Sequence, residues 1–282
     1  MCRFFIYKGQ VIKLDVLFEP NNSILKQSFH NPFTPFIPEK NDRDHEMNGD
    51  GFGICWEKNK KLYSYKSCKP PWNDVNIIGL ADYIESELFF CHVRAIRPFC
   101  LCSCVHEHNC HPFIHNRFSW MHNGDIKDKI LICKYLYDNC SLDLITQLKG
   151  NTDSEYCFYL FLSLLEPDVR EGRKRLTQQQ LKKCMVETIK IILSITKETC
   201  SLNFSVYDGK TLICTRYINS ETEDPPSLYY STNLQLSRTN DFNAIISSEP
   251  ITKNHSDWHL IPKNKMLILT QTNKIVLSNI TV

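Results

Sequence analysis

A cysteine stands directly behind the first methionine, in MCRFFIYKG. Removal of a methionine that precedes so small a side chain would leave Cys2 with a thiol and a free α-amine on one carbon. Such an amine has a reference pKa of roughly 7.7–8.0, so it can take the thiol proton directly or through one water, with no histidine base. A nucleophile of this kind attacks a carbonyl carbon and then needs donors for an oxyanion. Residues 121–126, MHNGDI, hold a suitable pair: the side-chain amide of Asn123 and the backbone N–H of Gly124, which no side chain covers. The same dipeptide is also a common turn. Arg94 closes the apolar run LFFCHVRA, where a guanidinium is costly unless a carboxylate, internal or from a substrate, pairs with it. Asp153 offers the opposite charge, suited to an ammonium, although an acid in the first turn of a capped helix is favoured anyway. Taken together, these residues describe a site for an α-amino acid whose remote amide carbonyl is attacked by Cys2.

The elements that must position them follow from pattern. CRFFIY reads as a first strand, residues 31–46 as a polar, proline-bearing loop, and GFGICWE with KLYSYKS as paired strands. A helix is expected over 75–85, then a strand over 88–95 covered on both faces. RFSWMHN is expected to be a strand ending in the Asn123–Gly124 turn. Thr152 and Glu155 form a T-x-x-E capping signal, and Leu181, Met185, Ile189 and Ile192 recur at helical spacing. SLNFSVY and TLICTRYI flank Asp208–Gly209 as a hairpin, with further strands at 227–231, 244–247 and 265–270. Strands, helices and strands again predict one α+β domain over 1–282.

Bulk properties narrow the function classes. With 33 basic and 31 acidic side chains the formal charge is +2, so no nucleic-acid partner is indicated. No apolar run reaches the length of a bilayer span and the start lacks a secretory pattern, which predicts a cytoplasmic protein with no membrane partner. The 14 cysteines are then expected to be mostly reduced. CLCSCVHEHNCH alternates Cys100, Cys102, Cys104, His106, His108 and Cys110, a spacing unlike that of zinc ligand pairs, and it is read as a thiol-rich loop. No metal ligand and no cofactor is assigned.

The combination resembles the class II glutamine amidotransferases, which are N-terminal-nucleophile hydrolases. The carrying stretches are MCRFF, NGDGFGICW (48–56), FCHVRA (90–95), EHNCHPF (107–113), MHNGDI, NTDSE (151–155) and ISSEPIT (246–252), with Asp257–Trp258 and Ile261–Pro262 after them. Within the class the chain looks most like the fungal amidotransferase-like subunit of a cytosolic glutathione-degradation complex and its bacterial relatives. The resemblance implies a four-layer αββα fold with two antiparallel sheets packed between helices. It also implies Cys2 as nucleophile, Asn123 and Gly124 as the oxyanion hole, Arg94 for the substrate carboxylate and Asp153 for its ammonium. Asn48, Gly49 and Asp50 would shape the loop beside the nucleophile, with His111 and Glu249 as framework. Relatives commonly carry a small hydroxyl residue shortly after the motif arginine, where this chain has Ile96 and Arg97.

The reaction so implied is hydrolysis of a γ-glutamyl amide bond through a γ-glutamyl thioester. The substrate would be glutathione, with a peptidase-like subunit as protein partner, or glutamine, with ammonia handed to a separate synthase. A non-catalytic or metal-dependent scaffold on the same fold is the reading from another class.

Overall fold

The apolar segment behind Cys2 becomes the spine of a sheet. The computed structural model describes residues 2–29, 47–96, 105–232, 234, 236 and 242–282. The loop expected over 31–46, and Arg97 with Cys100, Cys102 and Cys104, lie outside the described residues. In chain order the elements are β1 (Arg3–Lys13), α1 (Ile24–Gln27), β2 (Phe52–Lys58), β3 (Lys61–Ser67), α2 (Val75–Ala81), β4 (Glu85–Val93), β5 (Phe113–His115) and β6 (Phe118–Asp125). The helices α3 (Lys129–Asn139), α4 (Leu142–Ile145), α5 (Asp153–Ser163), α6 (Pro167–Arg170) and α7 (Gln178–Ile195) follow. The chain closes with β7 (Ser201–Tyr207), β8 (Leu212–Arg216), β9 (Tyr229–Thr232), β10 (Ala244–Ser247), β11 (His259–Leu260), β12 (Lys265–Leu269) and β13 (Ile275–Asn279).

These elements fall into two compact units. The first comprises Met1–Pro112 and Ser227–Ile261. Its sheet has seven strands in the order β11-β9-β10-β1-β4-β2-β3, every neighbouring pair antiparallel. Phe5, Tyr7 and Ile12 of β1 pack with Phe52, Ile54, Phe89, Cys91, Val93 and Ile245, while Phe4 and Ile6 on the other face are buried as well. This matches the continuous apolar pattern of β4. The helix expected over 75–85 is shorter than its sequence suggests. Asp74 caps it by accepting from the amides of Asn76 and Ile77, but it ends at Ala81, and Glu85 is already in strand register with Lys13.

The second unit, Phe113–Pro226 with Pro262–Val282, carries a six-stranded antiparallel sheet ordered β13-β12-β8-β7-β6-β5. Its core sets Trp120 of β6 against Phe158 and Phe161 of α5 and Phe204 of β7, at ring separations of 5.8, 5.5 and 4.6 Å. α7 buries Leu181, Met185, Ile189 and Ile192, the stripe read from spacing, and starts at a reciprocal capping box between Thr177 and Gln180. The β7–β8 hairpin turns at Asp208–Gly209 as expected. The Asp208 carboxylate accepts from the amides of Lys210 and Thr211, and Gly209 takes a φ of +86°. Asn123 and Gly124 are not a turn. They lie inside β6, opposite Asn203 and Leu202 of β7, so pairing with a distant strand overrides the local Asn-Gly preference. Among the described residues no helix is long and apolar enough to cross a membrane.

Candidate active site

In the first unit the nucleophile candidate sits just ahead of β1, half-buried. The Cys2 sulfur accepts from the Ala95 amide at 3.3 Å and its thiol donates to the Ala95 carbonyl at 3.6 Å, which fixes one orientation of the side chain. Arg3 reaches back to the Cys2 carbonyl at 3.2 Å and stands 4.0 Å from the Glu249 carboxylate, which Ser227 engages at 2.6 Å. Glu249 thus links the start of β1 to Ser227. The next strand residue, Phe4, is tied at its amide to the Ser248 hydroxyl at 3.0 Å.

The backbone that holds Cys2 also carries Arg94, whose side chain is 5% exposed. Its amide donates to the Gly51 carbonyl at 2.8 Å and its carbonyl accepts from the Asp50 amide at 3.1 Å. The Asp50 carboxylate accepts from the Ile96 amide at 2.6 Å, closing a tight knot over residues 94–96. Gly51 permits this with a φ of +113°, and a Cβ there would come within 2.7 Å of the Cys110 sulfur, so no other residue fits. Asn48 is buried; its amide donates to the Ser28 carbonyl at 2.6 Å and its Nδ2 to Gln27 at 3.3 Å, while Oδ1 has no hydrogen-bond partner among the described residues. Gly49 lies against Trp72, with 3.2 Å left for a Cβ. The His111 and His92 rings lie tilted against each other, their centroids 4.0 Å apart. Through residues 94–96 the first unit brings Cys2, Asp50 and Arg94 together.

The second unit brings together Asn123, Gly124 and Asp153. Asn123 is buried on β6, and Gly124 follows it in the strand, opposite Leu202 of β7. A Cβ at Gly124 would fall on the Ser201 carbonyl oxygen and within 2.5 Å of His122 Nε2. Asp153 opens α5 under the Thr152 cap, which accepts from the Glu155 amide at 3.1 Å. One Asp153 oxygen accepts from the Ser154 amide at 2.7 Å and the other from the Ile126 amide at 3.2 Å, so helix start and β6 end share this carboxylate. Asp153 is thus a first-turn acid whose carboxylate is held by two backbone amides.

Several other cysteines are enclosed in the core. Burial pushes the Cys110 thiol up to about 11, and pushes Cys91, Cys157 and Cys214 upward as well. Among the described residues no group of three or more His, Cys, Asp and Glu could hold a metal ion; the exposed His106 and His108 rings lie tilted, 4.8 Å apart. Sequence reading missed Ala95 as the backbone partner of Cys2, along with the His122–Ser154 contact at 2.9 Å. The second had a visible signal, because both residues adjoin singled-out motif positions.

Comparison with known proteins shows the family and the fold. A model of the family described as glutamine amidotransferases class-II matches residues 22–281. The chain is similar to the probable glutamine amidotransferase DUG3 of Saccharomyces cerevisiae, 33% identical over 302 residues, covering 95% of this chain and 82% of the relative. Among solved structures, a glutamine aminotransferase class-II domain protein from Silicibacter pomeroyi matches with a TM-score of 0.65 at 22% identity, covering 99% of each chain. A glutamine phosphoribosylpyrophosphate amidotransferase from B. subtilis matches at 0.62 with 13% identity, over all of this chain and 50% of that one. At such identities the solved structures show a shared α+β fold, the N-terminal-nucleophile hydrolase fold that the resemblance implied. On a family match running from residue 22 to residue 281, the chain belongs to the class-II glutamine amidotransferases and is an amidohydrolase of that type.

Proposed function

We propose that Cys2, freed of Met1, attacks the γ-carbonyl of a γ-glutamyl compound with its own α-amine as base. Asn123 and Gly124 stabilise the oxyanion, the amine leaves, and water resolves the γ-glutamyl thioester. Arg94 receives the substrate carboxylate and Asp153 its ammonium, while Asn48, Gly49 and Asp50 shape the wall beside the nucleophile. The observation that carries this reading is the 94–96 segment, which holds the sulfur of Cys2 through Ala95 and the backbone of Arg94 through Asp50 and Gly51.

Glutathione is the substrate we favour, with a peptidase-like subunit as partner, because the ordered motifs from MCRFF to ISSEPIT resemble the amidotransferase-like subunit of a glutathione-degradation complex. The family description supports a second reading, glutamine hydrolysis that delivers ammonia to a separate synthase. The eleven described cysteines are all free, which suits the reducing cytoplasm. The deciding experiment is a panel of γ-glutamyl compounds on protein whose Cys2 amine is free, confirmed by intact mass. Expected are turnover of glutathione above glutamine and loss of both in Cys2→Ser, with Cys110→Ser still active. Full activity in protein that retains Met1 would refute the amine as base.

A further inference from the structure

The second unit contains a buried network that the reaction above leaves unused. His122, 2% exposed, stands one residue before the oxyanion pair. Its Nε2 lies 3.0 Å from the Ser201 carbonyl, which can only accept, so Nε2 carries a hydrogen. Its Nδ1 lies 2.9 Å from the Ser154 hydroxyl. Ser154 follows Asp153 in the chain, and its hydroxyl and amide stand 3.1 and 2.7 Å from the same Asp153 oxygen. A single contact therefore joins the residue before Asn123 to the residue after Asp153.

Proton bookkeeping keeps that contact in either state of the ring. A neutral imidazole bearing its hydrogen on Nε2 accepts the Ser154 hydroxyl proton at Nδ1. A doubly protonated ring donates from Nδ1 to the Ser154 oxygen, and the hydroxyl hydrogen turns to Asp153, whose other oxygen is 4.0 Å from Nδ1. The ring is clamped further by Phe204 at 4.8 Å and by the absence of a side chain at Gly124. Buried hydrogen bonds of this kind are costly to break.

We infer that His122 and Ser154 are positioning residues that hold the Asp153 carboxylate in register with the Asn123–Gly124 segment. The inference deepens the proposed function and rests on Asp153 as the ammonium site. Ser154 acts on Asp153 and not on the carbonyl being attacked, so its loss weakens recognition of the substrate α-amine while leaving the chemical step largely intact.

The test compares a substrate with its des-amino analogue, glutamine against glutaramate by kcat/KM, and L-glutamate against glutarate by equilibrium binding to Cys2→Ala. Wild type is expected to prefer the amino compound of each pair. Ser154→Ala is expected to lose about tenfold of that preference, mostly in KM, with handling of the des-amino compound within about threefold; one charge-assisted contact is worth roughly that factor. Ser154→Thr, which keeps the hydroxyl, restores the preference, and His122→Gln behaves as Ser154→Ala. If Ser154→Ala keeps the wild-type preference, or loses equally on both members of a pair, the positioning role is overturned while Asp153 stands. If wild type shows no preference, the assignment of Asp153 itself falls and the inference falls with it.

Discussion

Replacing Gly124 with alanine sets a methyl carbon on the Ser201 carbonyl oxygen, 2.7 Å from the Ser201 carbonyl carbon and 2.5 Å from His122 Nε2. A carbon–oxygen contact settles near 3.3 Å or beyond, so β7 must retreat from β6 by roughly an ångström or more at this register. The neighbours are backbone and a buried ring, neither of which can swing aside. Overpacking of this kind costs about 1–3 kcal/mol. Separating His122 from Ser201 removes a buried hydrogen bond worth about 1 kcal/mol more. At roughly 2–4 °C per kcal/mol for a chain of this size, the combined loss lowers the melting temperature by about 5–15 °C. If Gly124 also donates to the oxyanion, kcat falls by a further ~10²–10³ in protein that is still folded. Thermal unfolding by circular dichroism, paired with turnover below the variant's own transition, measures both terms. A variant melting within about 2 °C of wild type refutes the packing argument, since overpacking of even the smallest expected size moves the midpoint that far. A destabilised variant with unchanged kcat refutes the donor role alone.

Other outcomes follow from the same geometry. Arg94→Lys should raise KM at least tenfold with a smaller change in kcat, because an ammonium cannot present the two-pronged fork a carboxylate accepts; steady-state kinetics with an unchanged KM would count against the clamp. Alkylation of native protein followed by mass spectrometry should mark Cys2 well before Cys91, Cys157 and Cys214, whose burial holds them as thiols, and equal labelling would mean those three are not enclosed. Met185→Ala should cost about 2–5 kcal/mol by denaturant melts, since the side chain is fully buried on α7, and a cost under 1 kcal/mol would deny the helix that face. Burial, offset only in part by Glu171, holds His115 below its ordinary value. The unfolded chain therefore takes up a proton near pH ~6.5 that the folded chain resists, and stability falls as pH drops through that point. His115→Gln should flatten this fall in melts between pH 8 and 5; parallel curves would refute it.

Legibility in the sequence tracked the range of the forces involved. The β2–β3 and β7–β8 hairpins and the stripe of α7 were readable because turn chemistry and side-chain periodicity act over a few residues. The Asp74 cap belongs to the same local class, yet α2 stops at Ala81 because β1 recruits Glu85 into its ladder. The site showed the same division. Cys2, Arg94, Asn123 and Asp153 stood out by type, since a terminal thiol, a guanidinium in an apolar run, an Asn-Gly pair and a capped acid each carry chemistry wherever they lie. Their partners did not. Ala95 holds Cys2 only because β1 and β4 pair, and Ser201 meets His122 only across the β6–β7 register.

By itself, then, the amino-acid order determined which groups are able to react and which segments prefer strand or helix. The tertiary structure alone decided that Asn123 and Gly124 sit in a strand rather than a turn, and that Gly51 and Gly124 must be glycine. It also decided that one buried imidazole links β6 to the start of α5. The physical reason is that hydrogen bonds and close packing between residues distant along the chain outweigh the tenths of a kcal/mol by which local propensities differ.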